Sequence, residues 1–548
     1  MKGFLWGAAS SSYQTEGGIT NNDWHYFSTD PIIRHRIYKM TTPNLLYDKT
    51  KQILLQPAND AASFWDPRVY EKDLKNAANI GLNCIRISLE WSRLEPHKNE
   101  WKDDVLEQYK KMIICMRENH LIPIVTLNHF TLPLWVLTPP ANFKKKLFQH
   151  LLPQPLNDLP LNNPESDDMF WKSMRGWENS ATVDAFVRFV RKVVDELKEY
   201  VDYWITINEP VTFIVGGGYL AGISPPGFFL DGHRARSALH NLIEAHIRTY
   251  NTITEIDDVD ADGDGVTKTV GIAHASVAVE AAKPKRLFGR KLIDNINSAK
   301  NFSYFVNDYF LNAIVNGLED LNYLNNLERF NKESKQLIVH KDWEHKIDFI
   351  GINYYRRVRV YYNPIIALST AKFIGGVFDD NSDKPRRKNL SLTNDLGWEI
   401  YPLGLYNALL EIWKRWNTPI LITENGIPDK NDRLRAPFIT SHIRQVRKAI
   451  SEGVDVRGYL YWSLFDSYEW HQGYSDDSRF GLFHVGKGNQ GKGRVMTSGA
   501  SALKLMIKEC LQKEGERVSD FAIKNAIEKY GHYTDDGSYL AIGISHSS

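Results

Sequence analysis

Eight short apolar segments, spread along most of the chain, constrain its fold more than any other feature of the sequence. Several of them end in polar residues, and segments of helical character lie between them. In 181–200, for example, the apolar residues recur with the period of one helix face. The eight segments are FLWGAASSSYQTEG (4–17), CIRISLEWS (84–92), IPIVTLNHF (122–130), YWITINEP (203–210), TVGIAHAS (269–276), DFIGINYY (348–355), PILITENG (419–426) and GYLYWSLFD (458–466).

Strands that are buried on both faces and alternate with helices predict a parallel sheet. Eight such units predict a closed (β/α)8 TIM barrel, an α/β fold in a single domain. The chain has 548 residues, and we place the surplus in long loop insertions at the C-terminal mouth of the strands, at 139–176 and 356–397. We assign residues 1–514 to the barrel and 515–548 to a C-terminal extension, which consists of a helix at 517–530 and a tail.

The balance of charge argues against two classes of partner. The 67 Lys and Arg residues nearly cancel the 66 Asp and Glu residues, so neither nucleic acid nor an anionic membrane surface is expected to bind. A run of about 18 apolar residues, which a membrane span needs, does not occur. The three cysteines show no paired spacing, and the N-terminus lacks the features of a signal peptide. We therefore expect a cytoplasmic protein, and a homo-oligomer remains an open alternative to a monomer.

Two of the apolar segments end on a glutamate, Glu209 in TINEP and Glu424 in ITENG. Because the C-terminal ends of barrel strands meet at one mouth, these glutamates are expected to face a shared pocket. Two opposed carboxyl groups can hydrolyse a glycosidic bond, with retention at a separation of about 5 Å and inversion at a wider one. They can also bind a divalent metal, or belong to unrelated salt bridges. The two glutamates alone leave these readings open.

The neighbours of the two glutamates favour a carbohydrate site. Asn208 can hydrogen-bond a sugar hydroxyl, and Arg86, on an inward-facing strand, can hold a carboxylate ionised. Amide, imidazole, hydroxyl, carboxyl and indole groups at the ends of other strands suit a polyhydroxylated ring with apolar C–H faces, and they lack the spacing of metal ligands. We therefore expect no metal and no cofactor. These further residues are Gln14, His129, Asn353, Tyr355, Trp462, Glu469 and Trp470.

The chain resembles glycoside hydrolase family 1, the retaining β-glycosidases. The resemblance covers most of the chain, from residue 4 to about 483, and the combination of TINEP with ITENG is highly specific. NHFTLPLW, and DWHYF at 23–27, resemble the archaeal branch of the family. The matching segments, in the family's order, are FLWGAASSSYQTEG, IRISLEWSRLEP, TLNHF, TINEP, GINYY, ITENG and YWSLFDSYEWHQGY followed by SRFGL.

The resemblance implies a role for each candidate residue. Glu209 would be the acid/base and Glu424 the nucleophile, and Arg86 and the Tyr355 hydroxyl would keep Glu424 ionised. Asn208 would contact the 2-hydroxyl of the sugar. The substrate would be a terminal β-D-glucosyl residue, with galactosyl and fucosyl residues as alternatives. The residues placed around this sugar are Gln14, His129, Glu469 and Trp470, with Trp462 as the floor of the pocket.

Glu469 bears on the choice of sugar. A carboxylate at this position accepts hydrogen bonds from the 4- and 6-hydroxyls and repels a 6-phosphate. The stretch SYEWHQGYSD also lacks the lysine that 6-phospho-β-glycosidases of the family usually carry, so unphosphorylated sugars are favoured. The alternatives are a transglycosidase, a 6-phospho-β-glycosidase and a non-catalytic carbohydrate-binding barrel. The last would be expected to have lost a catalytic glutamate, and both are present.

The sequence departs from the family pattern at Phe130, where many members have tryptophan. Phenylalanine lacks the indole N–H that would donate a hydrogen bond to the 3-hydroxyl. We expect this change to affect affinity and sugar preference, and to leave the reaction itself unchanged.

An acidic segment, DDVDADGDGVTKT (257–269), resembles the start of a calcium-binding loop. Asp258, Asp260 and Asp262 alternate as ligands of such a loop do, but Thr269 stands where the closing glutamate is needed. We interpret residues 257–265 as a solvated acidic turn before the fifth strand.

Overall fold

Eight parallel strands close into a barrel in the computed structural model. Each strand pairs in parallel with the next one along the chain, and the last pairs with the first, so the predicted (β/α)8 fold is confirmed. The strands are β1 Leu5–Ala9, β2 Cys84–Ser88, β3 Ile122–Asn128, β4 Tyr203–Asn208, β5 Thr269–Ala281, β6 Phe349–Tyr362, β7 Ile420–Asn425 and β8 Val456–Trp462. The structure describes residues 3–41, 53, 55–59, 62–136, 176–282, 286–287, 290–291, 295–320, 337–362, 376–378, 393–486, 493–511, 518–535 and 539–540.

A main helix follows each strand, and a ninth lies in the C-terminal extension. These helices are α1 Pro67–Asn79, α2 Asp103–Glu118, α3 Ser180–Leu197, α4 Gly232–Ile256, α5 Tyr309–Asn316, α6 Pro402–Trp416, α7 Arg435–Ser451, α8 Ser498–Leu511 and α9 Asp520–Tyr530. The other helical segments of the described residues are Ser12–Thr15, Asp23–Thr29, Pro31–Thr41, Trp91–Leu94, Leu134–Val136, Pro210–Leu220, Asn295–Ser303, Tyr304–Asp308, Lys341–Trp343 and Asp476–Ser478. The remaining strands are Arg286–Leu287, Arg290–Lys291, Leu318–Asp320, Leu337–Val339, Gly376–Phe378, Phe483–Val485, Arg494–Met496, His532–Tyr533 and Tyr539–Leu540.

The periodicity of 181–200 predicted a helix, and α3 confirms this prediction. The Asn179 side chain caps its start by accepting a hydrogen bond from the amide of Ala181. Its apolar face, which includes Val183, Phe186 and Val190, is fully buried in the main core. The helix ends at Leu197, three residues before the predicted end.

The inside of the barrel is filled by apolar side chains from the first half of the strands. Leu5, Cys84, Tyr203 and Phe349, each the first residue of its strand, belong to this plug. A Cβ on Gly271 would come within 2.5 Å of the Phe349 ring, so this glycine makes room for the plug. Because the plug occupies the N-terminal half of the barrel, polar side chains are left to the C-terminal ends, where a pocket can form.

Strands β5 and β6 are longer than the sequence predicted. Residues 356–362, which we assigned to the start of the insertion 356–397, continue β6, so that boundary was wrong. Their pairing with β5 runs to Val360 beside Ala281, and Val358 and Val360 are buried in the main core. Gly376–Phe378 adds an antiparallel strand to β6. The other predicted insertion, 139–176, lies outside the described residues except for Gly176, as do 363–375 and 379–392.

The described part of the C-terminal extension packs against the barrel helices. Helix α9 begins at Asp520, three residues later than predicted, and buries one face against α7 and α8. Tyr533 is fully buried, and its amide donates to the Ser441 hydroxyl of α7 at 2.7 Å. Arg444, also on α7, donates to Asp535 at 2.6 Å. A division of the chain at residue 514 remains a prediction, but these contacts join the extension to the barrel.

Placing aspartate at Ala526 of α9 is expected to lower the midpoint of thermal unfolding of the whole protein. Ala526 is fully buried, so the substitution leaves a charge unpaired inside the core, at a cost of about 3–5 kcal/mol. Lys529→Asp, on the exposed side of the same helix, is the control and should change the midpoint little. Differential scanning calorimetry measures both variants. If Ala526→Asp unfolded at the same midpoint as the wild type, α9 would contribute nothing to the stability of the barrel.

The structure describes the state of the cysteines and the character of the helices. All three cysteines are free thiols, and Cys84 is buried as part of the apolar plug. Within the described part of the chain, every helix is too short or too polar to cross a membrane.

Candidate active site

Glu209 directly follows β4, and its backbone adopts a conformation that is rare for residues other than glycine. Its φ of 43° and ψ of 54° lie in the left-handed region, which costs a non-glycine residue about 1–3 kcal/mol and is concentrated at functional sites. Each carboxyl oxygen accepts one hydrogen bond. Asn353 Nδ2 donates to Oε1 at 3.0 Å, and Thr212 Oγ1 donates to Oε2 at 3.1 Å. The carboxyl group is therefore held at the start of Pro210–Leu220, at the C-terminal end of the barrel.

Glu424, near the C-terminal end of β7, is held by a cation and a phenol. Arg86 Nη1 donates to its Oε1 at 2.6 Å, and the Tyr355 hydroxyl donates to its Oε2 at 2.6 Å. Arg86 is fully buried and Glu424 is 3% exposed. Removal of one partner from a buried ion pair costs about 3–5 kcal/mol, so each of these two residues requires the other.

The Arg86 guanidinium is fixed by further acceptors. Its Nε donates to Thr126 Oγ1 at 2.9 Å, and its Nη2 donates to Asn208 Oδ1 at 2.8 Å. Nη1 also reaches the carbonyl oxygen of Thr423 at 3.4 Å. Since a planar guanidinium bound on three sides cannot rotate, it presents Nη1 to Glu424 in one orientation.

The two glutamates differ in their electrostatic surroundings. Burial, and then the nearby charge of Glu424, raise the pKa of Glu209 to about 7. Burial also raises the pKa of Glu424, but the Arg86 charge and the hydrogen bonds from Tyr355 and Arg86 oppose that rise. Near neutral pH, Glu209 can therefore carry a proton while Glu424 has the partners that stabilise a carboxylate.

Asn353 connects the two glutamates. Its Nδ2 donates to Glu209 Oε1 at 3.0 Å and to Asn208 Oδ1 at 3.1 Å, and hydrogen bonding from its side chain also lowers the pKa of Glu424. Its Oδ1 accepts from the Thr423 hydroxyl at 2.7 Å, which fixes the orientation of the amide. Both carboxyl groups therefore interact with one side chain.

Gln14 lies beside the segment that carries Glu469. Its Nε2 donates to the carbonyl oxygen of Tyr468 at 2.7 Å, and its Oε1 accepts from the Ser11 hydroxyl at 2.7 Å. Because a primary amide nitrogen has two hydrogens, one donor of Gln14 remains for a ligand.

His129 adjoins the network from β3. Its Nε2 lies 3.3 Å from Asn208 Nδ2, and its ring stacks at 5.8 Å on Trp462 and at 6.2 Å on Trp470. Burial, and then the Arg86 charge, hold the pKa of His129 well below its usual value. The imidazole is therefore neutral, and its Nε2 can accept the hydrogen bond that Asn208 Nδ2 donates.

Trp462 and Trp470 supply the predicted indole groups, and both are at least 95% buried. Trp462 packs with Ala9 and Phe480 next to Tyr355. Trp470 stacks on Tyr13 with ring centroids 5.5 Å apart.

Phe130, the departure from the family pattern, is part of an aromatic cluster. Its ring stacks on that of Phe213 with centroids 3.6 Å apart and an interplanar angle of 10°. Trp470 meets both rings, at 5.1 Å and 5.5 Å. Phe213 occupies the Pro210–Leu220 segment, four residues after Glu209, and our reading of the sequence did not identify it. Because Phe213 stacks on Phe130, this wall of the site is apolar.

Glu469 is a third acidic group near the pair. Burial, and then the charges of Glu424 and Glu209, raise its pKa to about 8. Its backbone pairs with Gly473 in a tight turn, with N–H to O distances of 2.9 Å and 2.7 Å in the two directions. No lysine lies in this turn, which spans residues 469–473.

The structure therefore brings together the residues that the sequence selected. Hydrogen bonds link Arg86, Asn208, Glu209, Asn353, Tyr355 and Glu424, and His129 joins this group through Asn208. Sequence reasoning missed Thr126, Thr212 and Phe213. The threonines gave no signal, because hydroxyls of this kind are common on strands and first turns. Phe213 could have been found from its proximity to Glu209 in the chain.

Comparisons with known proteins agree with this geometry. The sequence matches the model of Glycosyl hydrolase family 1 over residues 1–149 and 170–510. It is 30% identical over 527 residues to a β-galactosidase of Pyrococcus woesei, with coverage of 88% of this chain and 92% of the relative. It is 29% identical over 506 residues to β-glucosidase A of Thermotoga maritima, with coverage of 88% and 92%. The solved structure of a β-glycosidase from Pyrococcus horikoshii superposes with a TM-score of 0.67 at 26% identity, over 97% of each chain.

A (β/α)8 barrel with this paired-carboxyl site and these relatives defines an enzyme, a β-glycosidase. The chain belongs to glycosyl hydrolase family 1. The archaeal β-galactosidase among its relatives confirms the predicted resemblance to the archaeal branch.

Proposed function

We propose that the protein is a retaining exo-β-glycosidase that removes terminal, non-reducing β-D-glucosyl residues, with galactosyl and fucosyl residues as further substrates. The observation that carries the proposal is the difference between the two glutamates. Glu209 has a pKa raised to about 7, whereas Glu424 is bound by Arg86 and Tyr355. An acid and a nucleophile require this division, because one must begin protonated and the other ionised.

In the first step, a carboxylate oxygen of Glu424 forms a bond to the anomeric carbon of the sugar. The bond from that carbon to the aglycone oxygen breaks, and Glu209 gives its proton to the leaving oxygen. Arg86 and Asn353 donate hydrogen bonds to Asn208 Oδ1. An N–H of the Asn208 amide can then donate to the 2-hydroxyl beside the reacting carbon. The products of this step are the free aglycone and a glycosyl ester of Glu424.

In the second step, Glu209 acts as the base. The ester has lost the charge of Glu424, which was the second largest cause of the raised pKa of Glu209, so that pKa falls. The Glu209 carboxylate then takes a proton from water, the water oxygen bonds to the anomeric carbon, and Glu424 leaves as a carboxylate. An alcohol in place of water would give transglycosylation, and the ratio of the two products measures the balance.

Membership of the family supports retention over inversion, because the family is that of the retaining β-glycosidases. Glu209 and Glu424 also lie close enough for the charge of Glu424 to raise the pKa of Glu209. Carboxyl groups of inverting enzymes are separated by about 6.5–9.5 Å, which leaves room for a water, whereas about 5–5.5 Å suits a covalent intermediate.

Glu469 supports an unphosphorylated, terminal sugar as the substrate. Burial, and then the charges of Glu424 and Glu209, raise the pKa of Glu469 to about 8, so a phosphate dianion beside it would also be disfavoured by burial and repelled by the Glu424 carboxylate. Free 4- and 6-hydroxyls can instead form hydrogen bonds with Glu469, and a terminal residue supplies them.

Hydrolysis of p-nitrophenyl glycosides tests this proposal. We expect the β-D-glucoside to be cleaved, and the β-D-glucoside 6-phosphate to react at least about a hundredfold more slowly in kcat/KM, the loss caused by about 3 kcal/mol of repulsion. Proton NMR during the reaction should detect the β anomer of glucose first. Release of the α anomer first would reject retention, and preference for the 6-phosphate would reject the assignment of Glu469.

A further inference from the structure

A cluster of three carboxylates lies at the end of the barrel opposite to the catalytic pair. Asp202 directly precedes β4, whereas Glu209 directly follows it. Asp260 and Asp262 belong to the loop that leads into β5, the neighbouring strand. One carboxylate oxygen from each of these three aspartates lies within 4.8 Å of the others. Oxygens that bind one Ca²⁺ at 2.3–2.6 Å are separated by at most about 5 Å, so the cluster has the dimensions of a calcium site.

The loop has the spacing of a calcium-binding turn that begins at Asp260, two residues later than the register considered from the sequence. Residues 260–265 read DADGDG, with Asp260, Asp262 and Asp264 at alternate positions and Gly265 at the sixth. Asp260 Oδ1 accepts from the amides of Gly263 and Asp264, and its Oδ2 accepts from the amide of Gly265 at 2.8 Å. These bonds shape the loop, and they do not by themselves indicate a ligand.

Asp202 provides an independent indication that a cation belongs there. Asp202 is 3% exposed, and its Oδ2 has no hydrogen-bond partner within the described residues. Its Oδ1 accepts from the amide of Ala261, inside the loop, at 2.8 Å. An ionised carboxylate that is buried without a partner is strongly unfavourable, whereas a divalent cation satisfies it.

The nearby positive side chains form hydrogen bonds or ion pairs with groups outside the cluster. The guanidinium of Arg117 donates to the carbonyl oxygens of Tyr200 and Ala261. Lys198 pairs with Asp258, outside the cluster. One guanidinium against three carboxylates leaves an excess of negative charge.

Lys268 is a third cation near this loop, and its Nζ donates to the carbonyl oxygen of Asp257 at 2.8 Å. It is therefore directed to the backbone and not to the carboxylates of the cluster.

We propose that Asp202, Asp260 and Asp262 bind a Ca²⁺ ion that ties the start of β4 to the loop before β5. Asp202, from outside the loop, supplies the carboxylate that the loop itself lacks at its closing position. Calcium suits this set because it accepts six to eight oxygen ligands in irregular geometry, including carbonyl oxygens and water, whereas Mg²⁺ requires a near-octahedral site. The role is structural, so this site is independent of the reaction at the other end of the barrel.

Titration of the chelator-treated full chain with CaCl₂ in a calorimeter tests the proposal. We expect one ion per chain with a dissociation constant of about 10⁻⁵–10⁻³ M, the range of weak sensors and extracellular modules, and weaker binding of MgCl₂. The midpoint of thermal unfolding should rise with CaCl₂, while kcat on an aryl β-glucoside should not change.

Asp202→Asn is the decisive variant, and Asp258→Asn is its matched control in the same loop region. Asp202→Asn should weaken calcium binding at least about tenfold and abolish the calcium-dependent rise of the midpoint. It should cost little stability in chelator, because it removes a buried charge. Asp258→Asn should bind calcium like the wild type, since its carboxylate pairs with Lys198.

Three outcomes would overturn the assignment. They are the absence of calcium binding by the wild type, equal binding by Asp202→Asn and the wild type, and a loss of stability in Asp202→Asn that is the same with and without calcium.

Discussion

Replacement of Glu424 by alanine is expected to abolish turnover of p-nitrophenyl β-D-glucoside, and sodium azide is expected to restore it. Loss of a covalent nucleophile lowers kcat by at least about 10⁴-fold, because no other group can form the ester. Alanine leaves a space beside Arg86 and Tyr355, which bind the carboxylate in the wild type. Azide can enter that space and attack the anomeric carbon from the side that Glu424 would use. The product should be the α-glycosyl azide, identified by NMR.

The same experiment on Glu209→Ala is the control that separates the two roles. With an activated substrate such as a dinitrophenyl glucoside, this variant should still form the ester at Glu424. Azide should then attack the ester from the opposite face and give the β-glycosyl azide. If the two variants gave azides of the same configuration, or if Glu424→Ala kept its activity, the assignment of nucleophile and acid would be wrong.

Replacement of Glu209 by glutamine is expected to lower kcat/KM on substrates with poor leaving groups by about 10²–10⁴-fold, the usual contribution of a general acid. The leaving group of a dinitrophenyl glucoside needs no protonation, so Glu209→Gln should retain most of its kcat/KM on such substrates. The pH profile should change as well. Glu209 must be protonated in the free enzyme, and its pKa is about 7, so wild-type kcat/KM should fall as the pH rises through about 7. Glu209→Gln should lack this basic limb.

Thr212→Val is the matched control for the pH profile. Thr212 donates to Glu209 Oε2 at 3.1 Å and thereby lowers the pKa of the carboxyl group. Without that hydrogen bond the pKa rises, so the basic limb should move to higher pH while general acid catalysis remains. A basic limb that is unchanged in both variants would show that another group controls it.

The barrel could be predicted because the same pattern, a short apolar segment, occurs eight times along the chain. Strands such as Cys84–Ser88 and Ile420–Asn425 are buried on both faces, so they produced apolar runs, and several of these runs end in polar residues. The barrel mouth then placed Glu209 and Glu424 together without any knowledge of distances. Their chemical roles remain predictions from the resemblance, which the contacts of Arg86 and Tyr355 support.

Features that depend on partners distant in sequence could not be predicted in this way. The continuation of β6 to Tyr362 is stabilised by β5 on one side and by Gly376–Phe378 on the other, and neither is visible in the composition of 356–362. Asp202 gives a similar lesson. It looks like an ordinary polar residue before a strand, and only the fold brings it to Asp260 and Asp262.

The pairing of β1 with β8 has a consequence for how the protein is made. Leu5 pairs with Gly458, so the barrel cannot close until nearly the whole chain has left the ribosome. At about 5–20 residues per second, β1 waits roughly 20–90 s for its second neighbour. Gln14 likewise meets Tyr468, which follows the last barrel strand, only after that interval, so the sugar pocket is completed late in synthesis. A truncated nascent chain therefore has neither a closed barrel nor a complete pocket, and its open strand edges require protection from aggregation.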